Sequence, residues 1–343
     1  MVKITIALAV LVVFMIIIAN LSSSFFRSRL TTVSHNTQSN STEESDSGSY
    51  IDENNSSVVI SSPLKESDYI EVTSKYNFDN EYCPYFQLLN DEQKKAYYFI
   101  YDAAEKVEPS LYIGSYVKIA SSEVSDVVNA VYYDHPELFW LEPGFRYTYG
   151  SHHMVVTVKL QFNGLEKDLT TAKRDFNLKV NEIVSEVNKA SSKGFLYQEV
   201  KLHDILCSIC TYDENAAYDQ SAYSCLVGGS SVCSGYARAF QVIMNKMNVP
   251  TYYIVGKVRD GGDHAWNIIK IDGQFYNVDV TWDDNLGEKR SNDVHAYFNI
   301  TDSAISKTHT RSEFSSKLPS CTDDSKTYGK NLGDTITIDD LNW

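Results

Sequence analysis

Apolar residues recur at helical spacing in some stretches and at alternate positions in others, and the change of period lays out the folded part of the chain. "NDEQKKAYYFIYDAAEKV" opens on Asn90 with Gln93 three places on, the capping-box pattern, and continues with apolar residues three and four apart, which predicts a helix. A second helix is predicted over "SSEVSDVVNAVYY". Pro136 and Pro143 then break the pattern in "DHPELFWLEPGFRYTY", and strand-like alternation takes over toward "MVVTVKLQF". His135, before a proline in this aromatic turn, reads as a packing or hydrogen-bonding residue. After Gly164, one stripe of Leu169, Phe176, Val180, Ile183 and Val187 predicts a long helix ended by Gly194, and a further helix is expected over "YQEVKLHDILCSICTYD". Tyr236, Phe240, Ile243 and Met247 share one face of a helix from about Cys233 to Met247, stopped by Asn248 and Pro250. Beyond Pro250 the period falls to two: "TYYIVGKV", a turn at "RDGGD", "HAWNIIKI", the turn Asp272-Gly273 and "QFYNVDVTW" predict an antiparallel three-stranded meander.

These elements gather three reactive residues. The loop "GGSSV" delivers Cys233 to the start of a helix, where unpaired N–H groups and the helix dipole favour a thiolate, the form in which a thiol attacks. With Asp272-Gly273 as a two-residue turn, Ile271 pairs with Gln274, Trp266 with Asp279 and His264 with Thr281. His264 and Asp279 then share a face as diagonal neighbours about 7–8 Å apart, a gap their side chains can close. Asp283 falls on the same face, farther along. Singly, such residues are ordinary core thiols, satisfied histidines and register-pinning acids. Together, a nucleophile, a base and an orienting acid predict Cys233, His264 and Asp279 as a catalytic triad.

Composition narrows the setting. The chain has 343 residues, 24 of them tyrosine, and a net charge of -15, which argues against nucleic acid as a partner. Ile4 to Ala19 is apolar or Thr behind Lys3, with only Ser22 and Ser24 offering a poor cleavage pair, so an uncleaved N-terminal membrane anchor is favoured over a cleaved signal. Lys3 against Arg27 and Arg29 leaves its orientation nearly balanced, and we expect an extracellular body, with secretion as the alternative. The Ser/Asn/Glu-rich stretch that follows reads as a disordered tether. Asn40, Asn54, Asn55 and Asn299 begin N-x-S/T triplets that read as chance in so Asn-rich a chain. Six cysteines are too few for a disulfide scaffold; a bridge from Cys207 or Cys210 to Cys225 stays open. Cys207 and Cys210 form a C-x-x-C with no second such pair or His pair nearby, so they read as core thiols, and no metal or cofactor is expected.

"VCSGYARAF", "HAWNIIKIDGQFYNVDVTW" and "LHDILCSICTYD" resemble the transglutaminase-like superfamily, in particular its extracellular bacterial members, over roughly Tyr197 to Asp284. "DHPELFW" is similar to a segment that often precedes this domain. The resemblance implies an α+β, papain-like core with the nucleophile Cys233 on a helix against an antiparallel sheet carrying His264 and Asp279, after a small α/β module. It also implies an upstream polar or aromatic side chain assisting the oxyanion, which no motif places here; the Cys233 N–H is the candidate. The expected organisation is an anchor or signal over 1–30, a tether over 31–66, the N-terminal module over 67–164, the catalytic domain over 165–325 and a C-terminal tail over 326–343. The expected function is a cell-surface cysteine enzyme acting on peptide or protein amides through a thioester. Hydrolysis is favoured over transamidation because Gly and Ser around Cys233 suggest an open groove; cell-wall components are candidate partners. The alternative is a non-catalytic protein-binding or wall-organising module on the same fold.

Overall fold

The computed structural model describes residues 33–34, 62–290, 294–335, 337 and 338, and these divide after Lys167 into two compact units. The expected anchor lies outside the described residues, among which no helix is long and apolar enough to cross a membrane.

In the first unit, the strand β1 (Val33–Ser34) pairs parallel with Arg146 and Tyr147, although it falls within the expected tether. Helices α1 (Glu66–Lys75), α2 (Pro84–Gln87) and α3 (Asp91–Lys106) follow. The capping box starts α3 as the sequence predicts: the Asn90 side chain accepts from the Gln93 N–H, and the Gln93 side chain accepts from the Asn90 N–H. Strand β2 (Ser110–Tyr112) precedes α4 (Val124–Asp134) and the hairpin β3 (Leu141–Tyr149) and β4 (Val155–Phe162), and β4 pairs antiparallel with both β2 and β3. His135 is buried among Phe78, Tyr97 and Tyr101, with Nε2 2.8 Å from the Tyr97 hydroxyl, a packing and hydrogen-bonding role. Asp134 accepts from the N–H groups of Tyr85 and Phe86 at the start of α2, and burial pushes its carboxyl up to about 7.

The second unit opens with α5 (Leu169–Asn188), whose buried stripe is Ala172, Phe176, Val180, Ile183 and Val187. It ends six residues before Gly194, and Leu169 is half-buried. Helix α6 (Phe195–Ile209) leads to β5 (Thr211–Tyr212), which pairs parallel with β6 (Ser230–Ser231) just before α7 (Cys233–Lys246). Strands β7 (Thr251–Val258), β8 (Asp263–Ile271) and β9 (Gln274–Val278) form the predicted meander. Asp272 and Gly273 have φ of 51° and 81°, the left-handed pair a two-residue hairpin turn demands, and Ile271 faces Gln274 as counted.

The strand predicted through Trp282 is shorter. It stops at Val278, and Val280–Arg290 forms helix α8, so Thr281 does not pair with His264. A short helix, α9 (Asp302–Ile305), then precedes β10 (His309–Arg311), which adds a fourth strand on β7. Gly256 makes this possible: a Cβ there would lie 2.1 Å from the Thr310 carbonyl oxygen and 2.7 Å from the Trp266 ring. The segment set apart as a tail packs too, through α10 (Tyr328–Asn331) and the buried Ile338. Asn299, one of the N-x-T asparagines, is fully buried and donates to Glu199. The mixture of helices and antiparallel sheet is the expected α+β class.

Candidate active site

Cys233 is the first residue of α7; its N-cap, Val232, makes no side-chain cap, and the N–H groups of Gly235 and Tyr236 turn back to the Val232 carbonyl. The helix start is held from behind. Ser234 donates to the Gln220 carbonyl and accepts from the Tyr253 hydroxyl. Gly235 lies so close to Ser231 that a Cβ would come within 1.8 Å of its Oγ. The small residues beside Cys233 therefore serve close packing, and Cys233 itself is 3% exposed; the open groove expected from them is not what they build.

His264 projects from β8, which pairs with β7 and packs on α7, so that the charge of the nearby Cys233 sulfur acts on its ring. Its Nε2 stands 2.7 Å from Asp279 Oδ2, which leaves Nδ1 for the thiol. The diagonal reach predicted from the hairpin count is met, although Asp279 sits one residue past the strand end rather than in the ladder. Burial disfavours a charged His264, but the Asp279 carboxylate and the Cys233 sulfur outweigh it and raise the ring to about 10. Burial likewise works against ionised Asp279, yet the two imidazoles bring its carboxyl below the ordinary range.

The second imidazole is His309, from β10, with Nε2 3.0 Å from the same Oδ2. Its Nδ1 is 2.7 Å from Thr308 Oγ1, and burial keeps its pKa below the usual value. A neutral His309 satisfies both contacts when Thr308 donates to Nδ1 and Nε2–H donates to Asp279. The Trp282 N–H donates to Asp279 Oδ1, so three donors hold the carboxylate in place. Nothing in the short stretch "THTR" marks His309 in advance. The ligand atoms of His264, Asp279 and His309 lie within 4.8 Å of one another, a spacing that a metal also tolerates; hydrogen bonds from both rings to one oxygen account for it here.

Trp266 is core, stacked on His264 and donating from Nε1 to Asn277 Oδ1. Trp282 is half-buried, with its ring 6.0 Å from His264 and 4.6 Å from His309. Tyr236 on α7 donates to Asp284 on α8, which ties the helix of Cys233 to the helix that begins beside Asp279. Asp283 does not join Cys233, His264 and Asp279; it accepts from the Tyr297 N–H and faces His203. Tyr212, on β5, comes close to the start of α7. It pairs with Ser231, two residues before Cys233, and burial together with the charges of Cys233, Glu214, Asp219 and Asp279 raises its phenol.

Residues 181–280 match the family model of the transglutaminase-like superfamily. This segment is transglutaminase-like. It contains Cys233, His264 and Asp279 but neither His309 nor most of α8. Among solved structures, the chain is similar to a TGase at 15% identity, covering 51% of each chain with a TM-score of 0.28. It is also similar to a protein from Cytophaga hutchinsonii provisionally assigned as a cysteine protease, at 18% identity, covering 30% of this chain and 37% of that one, with a TM-score of 0.26. The chain thus spans about half or less of the solved structures it matches. No curated protein matches it.

Proposed function

We propose that this protein is a cysteine enzyme that cleaves or transfers an amide acyl group through a thioester on Cys233. The reading rests on one observation: a buried thiol at a helix start without a side-chain cap, on the helix packed against the strand of an imidazole whose Nε2 lies 2.7 Å from a buried carboxylate. In this reading His264 takes the Cys233 proton and returns it to the departing amine, while Asp279 holds the ring. The Cys233 N–H and the Tyr212 hydroxyl serve as donors to the oxyanion. Peptide or protein amides are the substrate class, at the cell surface if the N-terminal segment anchors the chain.

Water is the acceptor we place first. It needs no binding site of its own, whereas an amine needs a dry channel, for which Trp282 is the one half-buried aromatic described beside His264. Supplying a fluorescent primary amine with a peptide substrate distinguishes the two, and predominant amine incorporation would make the protein a crosslinker.

Thiol labelling tests the nucleophile itself. Cys233, Cys83 and Cys321 are 3%, 5% and 1% exposed, so access does not separate them. Burial pushes the Cys83 thiol far up and the Cys321 thiol to about 12. Iodoacetamide at neutral pH should modify Cys233 first, and equal rates would favour the non-catalytic binding module instead.

A further inference from the structure

A closed circuit of hydrogen bonds leaves Asp279 through its backbone and returns to its carboxylate, by way of Tyr297, a residue outside the matched segment. The Asp279 N–H donates to the Tyr297 carbonyl at 3.1 Å. The Tyr297 hydroxyl donates to Thr308 Oγ1 at 3.2 Å, Thr308 Oγ1 lies 2.7 Å from His309 Nδ1, and His309 Nε2 lies 3.0 Å from Asp279 Oδ2. All four residues are buried, Tyr297 completely. Tyr297 is itself fixed. Its N–H donates to Asp283 Oδ1 at 3.0 Å, and His295, two residues earlier, has Nε2 2.8 Å from Asp204 Oδ1 on α6.

Proton counting gives this circuit a direction. Thr308 is the one hydrogen-bond partner of the Tyr297 phenol oxygen among the described residues, and burial, with Asp279 and Asp283 adding to it, keeps the phenol protonated. The phenol therefore donates to Thr308 Oγ1, because a buried hydroxyl left without an acceptor costs the desolvation of that group. The Thr308 hydroxyl has one proton of its own and two acceptors in reach, the Ile305 carbonyl at 3.2 Å and His309 Nδ1 at 2.7 Å. The Ile305 carbonyl already takes the Thr308 N–H at 3.0 Å. Were the hydroxyl proton to turn to Ile305, Nδ1 would have to carry a proton, and a neutral ring would face the Asp279 carboxylate with a bare Nε2. With the hydroxyl proton aimed at Nδ1, every donor in the circuit has an acceptor.

We propose that Tyr297 is a positioning residue for the triad: its hydroxyl turns the Thr308 proton onto His309 Nδ1, so that His309 meets Asp279 only as a neutral Nε2–H donor. The inference rests on the proposed role of Asp279 as the partner of His264. A neutral His309 steadies Oδ2 without setting a second positive charge beside it, and the Asp279 charge is left to His264. The titratable groups around His309 are Asp279 and His264, with the Tyr297 phenol behind Thr308, while Trp266 and Trp282 cover the ring with uncharged faces. Burial and the His264 charge oppose a proton on His309, and Asp279 favours one. The phenol weighs against that proton in two ways. Its hydrogen bond polarises the Thr308 hydroxyl toward Nδ1, and it occupies Oγ1, which makes that oxygen a poorer acceptor for an imidazolium Nδ1–H.

The test labels the histidines of the full chain with nitrogen-15 and follows His309, identified by the signals lost in His309→Gln, between about pH 5 and pH 8. In the native chain Nδ1 should stay unprotonated and Nε2 protonated throughout. In Tyr297→Phe, His309 should take up a proton on Nδ1 within that window, and kcat on a peptide substrate should fall by about 3–10-fold with KM unchanged, the worth of one buried hydrogen bond. Thr308→Ser keeps the hydroxyl and should leave the His309 signals in their native positions, whereas Thr308→Val should move Nδ1 to the position of a nitrogen with no donor. Tyr276→Phe removes a different hydroxyl from a buried ring, the one bonded to Asp323, and should change neither signals nor rate. A proton on Nδ1 in the native chain, His309 signals or kcat unmoved by Tyr297→Phe, or the same shift in Tyr276→Phe would each overturn the assignment. If Tyr297→Phe fails to fold, the native spectrum and the two Thr308 variants decide, and native signals in Thr308→Val overturn it. The spectrum needs no turnover, so a native chain that is inactive yet shows the expected signals would refute the thioester reading while upholding the hydrogen-bond direction assigned to Tyr297.

Discussion

Replacing Asp279 with Asn removes a charge from a group 2.7 Å from His264 while leaving the packing nearly intact. In the native protein the ring is held at about 10, burial pulling it down and Asp279 and Cys233 pushing it up. Without the carboxylate, burial remains and the main opposing force is gone. An opposite charge at contact is worth about 1–3 units, or roughly 1.4–4 kcal/mol, so the His264 titration should fall by about that much. In the proposed mechanism protonated His264 delivers the proton to the leaving amine, so the alkaline limb of kcat/KM should move down from near 10 by the same amount. The rate at the optimum should fall by about 10²–10⁴, since the Asn amide can leave the ring in the wrong tautomer. The stability sign follows the same pair. The raised His264 contributes stability that is full below its unfolded value, about 6.5, and is lost as pH rises through about 10. The lowered Asp279 contributes stability that is full above its unfolded value, about 3.9, and is lost under acid. The gap in melting temperature between native protein and variant should therefore be widest near pH 5–6 and narrower above pH 10. A pH–rate profile and melting curves measure both; an alkaline limb that stays near 10 in the variant would refute the assignment of Asp279 as the partner that charges His264.

Tyr212→Phe should lower kcat by about 10²-fold with KM nearly unchanged if its hydroxyl meets the oxyanion; an equal loss in a substrate whose leaving group needs no such help would point to packing instead. Gly256→Ala forces a Cβ against the Thr310 backbone, so β10 should separate from β7 and withdraw His309 from Asp279; activity should fall more than melting temperature, and a fully active variant would show that the edge strand is dispensable. Asn90→Ala removes the cap of α3 and should cost about 1 kcal/mol, read as a lower denaturant midpoint with no change in triad kinetics. Deleting residues 1–30 should leave a folded protein, and aggregation of the shortened chain would show that the head packs on the body.

What the sequence revealed and what it hid follow from the range of the interactions. The hairpin could be counted because Asp272-Gly273 fixes its register locally, and the Cys233 helix because its stripe and stop signals lie within one window. The end of β9 could not. Asp279 leaves the ladder because its N–H is claimed by the Tyr297 carbonyl and its side chain caps the next turn through the Trp282 N–H, and the first of these partners lies eighteen residues on. The same is true of His309 and His295, whose neighbours are contributed by strands and helices thirty to ninety residues away. The small residues at 234 and 235 were visible, but their purpose depends on Ser231, Ser221 and Gln220, which no period in the sequence connects to them.

Asp279, one residue short of the end of the transglutaminase-like segment, depends on what comes after it. Its backbone answers to Tyr297, one carboxylate oxygen to Trp282 and the other to His309, whose strand ends on Arg311, paired with Asp302, which in turn accepts from the Cys321 N–H. The portion that can be moved as a working piece is therefore longer than the portion by which kinship is recognised. A chimera exchanging only 181–280 with a relative would carry over Cys233, His264 and Asp279 but leave the groups that hold Asp279 to whatever the recipient supplies. A crossover placed beyond Cys321 would transfer all three with their supports, and the two chimeras should differ in activity far more than in their ability to fold.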